Sequence, residues 1–401
     1  MLKRLSHQAV FISLTITGSL FLTLALIEMT LRLFPGLLAP EIQAFIRATP
    51  EDKGVSHPYI GHLHRPNDAF VLDGRDFRAV HHTDGFGFRN AWPWPEKAEI
   101  VVLGDSVTFG QGVEDEQAWP AILARSLPRT RVVNLGLIGA GPQQYLRTYE
   151  TFGTRLDAKL LLVGLFLRND LWDDDTFDRW LKSGAGGNYM VWRNFGRPKR
   201  VFSPEQPIKS RIRKFQWDAF LLARRSYLFN LMLHVSGAAR KWRSREVRVF
   251  ELPDGSRLEL SPGDFMGKIK GAYPGHREFE LTLDALKRTR SVAESHGAKV
   301  LVIFQPSKEE AYLPLLGGDD VPDMAAPLQE ELKKLGIAYL DLGPVFRARA
   351  AKGEKLFFEA DGHPNVRGYA LIAERVFSHL KGHAKEYGLT DRQTHFSPAR
   401  S

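Results

Sequence analysis

Short apolar runs with almost no internal polar residue recur along this chain, separated by helix-like segments. The runs lie in Glu99-Ile-Val-Val-Leu103, Arg131-Val-Val-Asn-Leu135, Lys159-Leu-Leu-Leu-Val-Gly-Leu-Phe-Leu167, Ala298-Lys-Val-Leu-Val-Ile-Phe304 and Ile337-Ala-Tyr-Leu-Asp341. The helix-like segments are Gln117–Leu127, Gln143–Phe152, Glu278–His296 and Met324–Leu335, and a last helix is expected from near Asn365 to before Gly388. A strand that is apolar throughout, without alternation, is buried on both faces, and strands that alternate with helices form βαβ units. The pattern therefore predicts an α/β fold with a parallel sheet covered on both sides.

Two stretches break this rhythm. Ala9 to Ile27 holds nineteen residues without a charge, preceded by Lys3 and Arg4. At about 1.5 Å per residue that length matches the hydrocarbon core of roughly 30 Å. The flanking positive charges favour a cytoplasmic N-terminus, with the rest of the chain across the membrane, although Arg32 on the far side opposes this. A cleaved signal peptide has a shorter apolar region and a small-residue cleavage site, which Arg32-Leu-Phe-Pro-Gly-Leu-Leu-Ala-Pro40 lacks, so residues 1–35 read as an uncleaved signal anchor. Glu28 near its end reads as an interfacial residue or, less simply, as an intramembrane functional acid.

The second break is an excursion at residues 184–276 that contains a hairpin, Val249 to Leu260, turning at Asp254-Gly255. Residues 193–248 carry fifteen Lys and Arg against Glu205, Asp218 and Glu246, a local balance of +12 against +9 for the whole chain. Interleaved Trp192, Phe215, Trp217, Phe220, Tyr227 and Trp242 make this an apolar and basic insertion, expected to cap the catalytic domain, with a composition that also suits anionic headgroups or an acidic envelope polymer. The organisation that follows is an anchor at 1–35, a lead-in at 36–95, a catalytic domain at 96–183 and 277–388, the insertion, and a loose tail at 389–401.

With 401 residues, 43% of them apolar, the chain can build one large core plus an accessory region. It has no cysteine, which excludes disulfides, thiolate nucleophiles and cysteine-bound zinc. Its basic balance does not argue for nucleic acid once the anchor puts the insertion outside the cytoplasm. Asp173-Asp-Asp175 reads as a solvated loop, and His62, His64, His81 and His82 as surface histidines, so no metal or other cofactor is expected. The glycines 136, 139 and 141 lack the dinucleotide spacing.

The chemistry concentrates where the first run stops on Gly104-Asp-Ser106, which delivers a hydroxyl to the carboxyl edge of the sheet, where ligands bind in open α/β folds. A serine nucleophile needs a base, a group that orients the base, and donors aimed at the oxyanion. His363, in Phe358-Glu-Ala-Asp-Gly-His-Pro-Asn-Val-Arg-Gly-Tyr369, supplies the base; Asp361, two residues earlier on an extended segment, supplies the orienting acid, with Glu359 as the alternative. Gly139 and Asn169, after the second and third strands, supply the donors.

These four blocks, Ser106 in Gly104-Asp-Ser-Val-Thr-Phe-Gly110, Gly139 five residues after Asn134, Asn169 in Asn169-Asp170, and His363 in Asp361-Gly-His-Pro-Asn365, resemble the SGNH (GDSL) hydrolase superfamily in kind and order. The resemblance covers about half the chain, and His81–Asn90 is similar to the lead-in of membrane-anchored bacterial members. It implies a flavodoxin-like three-layer α/β/α fold with five parallel strands, Ser106 as nucleophile, His363 as base, and an oxyanion hole from the Ser106 and Gly139 amides and the Asn169 side chain. The chain departs from the family at Ala360, where the acid usually stands, and at Leu167, where the third block often has glycine. The expected function is an esterase that cleaves O-acyl esters of an envelope glycan or lipid through an acyl-enzyme. The alternatives are an O-acyltransferase and a non-catalytic envelope-binding protein on the same scaffold; the oligomeric state is left open.

Overall fold

The computed structural model describes residues 2–38, 54–184, 188–195, 223, 226–244, 247–317 and 321–389. In chain order its elements are α1 (Leu2–Leu33), β1 (Val55–His57), β2 (Gly61–Leu63), β3 (Ala69–Asp73), β4 (Arg78–His82), β5 (Ile100–Leu103), α2 (Ser106–Phe109), α3 (Trp119–Ser126), β6 (Val132–Asn134), α4 (Pro142–Thr148), β7 (Leu160–Leu165), α5 (Asp170–Ser183) and α6 (Tyr189–Phe195). There follow α7 (Tyr227–Ser244), β8 (Arg248–Glu251), β9 (Arg257–Leu260), α8 (Pro262–Ile269), α9 (Arg277–Ser295), β10 (Lys299–Phe304), α10 (Lys308–Leu316), α11 (Ala326–Lys334), β11 (Ala338–Asp341), α12 (Gly343–Ala350) and α13 (Val366–Gly382). They divide into two units, residues 1–53 with 204–244, and residues 54–203 with 245–401.

In the larger unit the five expected runs form one parallel sheet of order β6-β5-β7-β10-β11. Ile100 faces Val132 on one side and Leu160 on the other, so β5 is flanked on both edges and fully buried, as its lack of polar residues requires. Helices α3 and α13 pack together on the sheet, and α4, α5 and α9 form a second group, giving three layers. The second helix expectation, Gln143–Phe152, is cut short: the α-helix runs to Thr148 and continues as a single π-helical segment, Tyr149–Gly153. The hairpin forms as expected, β8 with β9, but Leu258, Leu260 and Phe265 are buried in the main core.

The lead-in is organised by Asp84, whose carboxylate accepts from Phe86 N, Phe88 N, Asn90 Nδ2 and Trp94 Nε1 at 2.6–3.0 Å. Asn90 in turn bonds both main-chain groups of Asn134 at the end of β6. Two expectations are corrected here. His62, His64 and His81 are buried rather than superficial, stacked among Phe70, Phe109 and Tyr189, and burial depresses them to about 3, 4 and 4, so they stay neutral. Asp173, Asp174 and Asp175 lie buried on α5, not in a solvated loop, because Arg193, Thr282, Arg179 and Arg277 bind them. Among the described residues no group of His, Asp and Glu could hold a metal.

The smaller unit contains α1, whose segment Phe11–Leu33 is long and apolar enough to cross a membrane and is exposed along most of its length, Leu31 being buried. Near its C-terminal end Glu28 caps α7: its carboxylate accepts from Ser226 Oγ at 2.8 Å, Tyr227 N at 3.0 Å and Leu228 N at 2.8 Å. Arg32 binds the same carboxylate at 2.6 Å and lies 5.5 Å from the Tyr227 ring centroid. Glu28 is thus a helix cap, a role that neither reading of the sequence named. Most of the basic stretch at 196–222, and the tail beyond 389, lie outside the described residues.

Because Asp84 satisfies four donors in a site only 2% exposed, Asp84→Ala leaves them unpaired and is expected to cost about 3 kcal/mol. A thermal unfolding scan of the purified protein checks this as a midpoint lowered by several degrees.

Candidate active site

The carboxyl edge of the sheet gathers the four expected blocks. Strand β5 ends at Gly104, where a Cβ would collide with the Thr108 side chain, so the chain turns at once into α2 with Ser106 as its first residue. Asp105, the preceding residue, caps this short helix through Val107 N at 2.9 Å. Ser106 Oγ lies 3.1 Å from Asp105 Oδ2 and 2.8 Å from His363 Nε2.

His363 arrives from the loop before α13. Asp361 Oδ1 accepts from its main-chain N at 2.8 Å and meets its Nδ1 at 2.6 Å. This corrects the expected extended geometry: the segment is bent, and the Asp361 side chain folds back in an Asx turn that reaches both nitrogens of the residue two positions on. Glu359 points elsewhere, its carboxylate 3.7 Å from Lys355 Nζ.

Electrostatics then assign the protons. Burial works against ionisation of Asp361, but the His363 imidazole and its two N–H donors outweigh it and hold the carboxyl down to about 2. An ionised Asp361 requires Nδ1 to carry a hydrogen, which leaves the Nε2 lone pair facing Ser106 Oγ–H. Burial likewise opposes a charge on His363, yet Asp361 prevails and raises the imidazole above its ordinary value. Asp105 is fully buried, and desolvation raises its carboxyl despite the Val107 N–H.

Asn169, directly before α5, shares Asp105 Oδ2 with Ser106: its Nδ2 lies 3.3 Å from that oxygen and 2.9 Å from Asp173 Oδ2. Asp173 is itself fixed by Arg193, at 2.7 Å from Nε and 2.6 Å from Nη2. One amide hydrogen is therefore committed to Asp173, while the longer bond to Asp105 leaves the second available to an oxyanion. Gly139 sits on the loop after β6, which is tied to the turn before Ser106 through Leu137 N and Gly104 O at 2.9 Å. Its φ of +71° and the Met190 Sδ, 2.8 Å from where a Cβ would stand, both demand glycine.

Several residues of the site were not singled out from sequence. Asp105 carries no role of its own in the sequence, Asp173 reads as part of a solvated loop, and Arg193 is one of the many basic residues of 193–248. Arg168, in the position after the departed glycine, pairs with Glu309 and with Asp264 at 3.1 Å. Only the Gly-Asp-Ser spacing could have flagged the first; the others depend on pairings distant in sequence.

A base that must be neutral to accept a proton works above its own pKa and fails below it. On the sequence expectation that His363 is this base, its raised value puts the acid limb of kcat/KM above the ordinary imidazole value of about 6.5. Asp361→Asn removes the raising charge, so the limb should move to lower pH while the plateau drops by about 10²–10⁴. A pH–rate series on both proteins checks the sign.

Residues 102–371 match the model of the GDSL-like Lipase/Acylhydrolase family. No curated protein matches the chain. Among solved structures, a member of the lipolytic protein G-D-S-L family from Veillonella parvula DSM 2008 is similar at 14% identity, covering 70% of this chain and 96% of its own, with a TM-score of 0.35. A catalytic mutant of an acetylxylan esterase from Geobacillus stearothermophilus is similar at 11% identity, over 76% of this chain and 97% of its own, with a TM-score of 0.35. The family match runs from the last residues of β5 into the first turns of α13 and takes in every residue of the site just described, so the chain belongs to the GDSL-like lipase/acylhydrolase family and is an ester-hydrolysing enzyme.

Proposed function

We propose that Ser106 is the nucleophile of this enzyme, His363 its general base and Asp361 the residue that orients the base. The observation that carries this reading is the unbroken chain from Asp361 Oδ1 to His363 Nδ1 at 2.6 Å and from Nε2 to Ser106 Oγ at 2.8 Å. Ser106 Oγ attacks the ester carbonyl carbon and passes its proton to Nε2. The carbonyl oxygen becomes an oxyanion facing the amides of Ser106 and Gly139 and the Asn169 amide hydrogen that makes the longer bond to Asp105, which it gives up to the oxyanion. Collapse expels the alcohol, which takes the proton from Nε2, and leaves an acyl-serine; water then repeats the sequence and releases the acid.

The substrate proposed is a carboxylic O-acyl ester on a glycan or lipid of the cell envelope. Support comes from the apolar span Phe11–Leu33, read as a single-pass anchor with the lead-in (36–95), the catalytic domain (96–183 and 277–388) and the insertion (184–276) on the far side of the cytoplasmic membrane. The basic, aromatic composition of 193–248 suits an acidic or lipidic surface there. A sugar hydroxyl in place of water would make the same acyl-enzyme an O-acyltransferase.

The test is turnover of short-chain nitrophenyl esters by the full-length protein, with and without an added glycan acceptor. Ser106→Ala and His363→Ala are expected to lose at least about 10³ in kcat, and Asn169→Ala about 10²–10³. Acyl transfer to the acceptor in preference to water would replace the esterase reading with the transferase one. Full activity in Ser106→Ala would overturn both.

A further inference from the structure

Lys308 has no part in the mechanism above, yet it is buried, 2% exposed, at the start of α10. A buried ammonium needs three acceptors. Here it finds three main-chain carbonyls of one loop: Nζ donates to Glu359 O at 2.8 Å, Asp361 O at 3.0 Å and Phe358 O at 3.3 Å. That loop carries Asp361 and His363.

The same loop is gripped from two further directions. Asp76 Oδ2 in the lead-in accepts from Ala360 N at 2.8 Å, and Glu259 N on β9 donates to Glu359 O at 2.8 Å, with Arg75 bound to the Glu259 carboxylate. Ala360 occupies the place where the resembling family usually has its acid. The acid here is one residue nearer the histidine, and it reaches the imidazole only while the bend at 359–361 is held.

We propose that Lys308 is a positioning residue of the active site: its ammonium fixes the carbonyls of the Asp361–His363 loop and keeps a positive charge beside the Asp361 carboxylate. The proposal rests on the assignment of Ser106, His363 and Asp361 given above. The charged groups around the amine are Asp361 and Glu359 on the loop, Asp76 and Arg75 in the lead-in, Glu259 on β9, Glu309 on α10 and Arg168 after β7. Burial lowers the Lys308 amine to about 8, against the opposing pull of Asp361. Deprotonation removes one donor and the charge together, so the loop loses a carbonyl contact and Asp361 loses its neighbouring cation.

The experiment is a pH profile of ester turnover from pH 5 to pH 10 for full-length wild type, Lys308→Met, Lys308→Arg and Ser106→Ala. The wild type is expected to lose activity on an alkaline limb near pH 8. Lys308→Met should have kcat lower by about 10- to 100-fold with KM little changed and no such limb. Its acid limb should rise by roughly half a pH unit or more, because a cation near the Asp361–His363 pair no longer opposes protonation of the imidazole. In Lys308→Arg, which keeps the charge, the alkaline limb should move beyond pH 9. A merely structural lysine would lower the amplitude and leave both limbs in place, and that result overturns the proposal, as does a wild-type profile flat to pH 10. If Lys308→Met does not fold, the wild-type and Lys308→Arg profiles decide. Inactive Ser106→Ala beside unaltered Lys308→Met would refute this inference alone, whereas active Ser106→Ala would refute the catalytic assignment beneath it.

Discussion

A carboxylate two residues before a histidine can orient its ring only if the chain between them folds back, and the rest of the site depends on that bend. Asp361 Oδ1 holds His363 by its main-chain N–H and its ring Nδ1 at once, which fixes the position and the tautomer of the imidazole with a single oxygen. With Nδ1 protonated, Nε2 is left as an acceptor directed at Ser106. Everything else at the sheet edge either holds this loop or shapes the other side of the reacting centre.

The other side is built from buried charge. Asp105 caps α2, bonds Ser106 and meets Asn169, while Asp173 ties Asn169 to Arg193. Removing such groups from water is costly unless hydrogen bonds replace the lost hydration, and each of these carboxylates has donors in place. The arrangement makes the short helix α2 and the Asn169 turn one connected piece. A strand edge that presents loops only, by contrast, would leave both free to move independently.

Much of the fold was legible because a buried parallel strand must be apolar throughout. Ile100–Leu103, Leu160–Leu165 and Lys299–Phe304 announce themselves in that way, and the Gly-Asp-Ser stop marks the turn after the first. The four site blocks were legible as well, since each follows a strand end or precedes the last helix. Helices α10 and α12 were not foreseen: both are short, and Pro314 inside one and Pro344 at the start of the other blur the apolar period. The buried histidines and the Asp173–Asp175 run were misread for a different reason. Polar residues look exposed in sequence unless their partners are known, and Arg193, Thr282 and Arg277 lie far along the chain. Lys308 escaped notice on the same ground, because its partners are carbonyls, which every residue has.

The most direct measurement is the intact mass of the full-length protein after treatment with a fluorophosphonate, followed by peptide mapping of the adduct. An activated Ser106 predicts one phosphonyl group per chain, located on the peptide that contains Gly104-Asp-Ser106, and its disappearance in His363→Ala. An adduct on another serine, or equal modification of Ser106→Ala, would contradict the assignment of Ser106 as the residue that His363 and Asp361 activate.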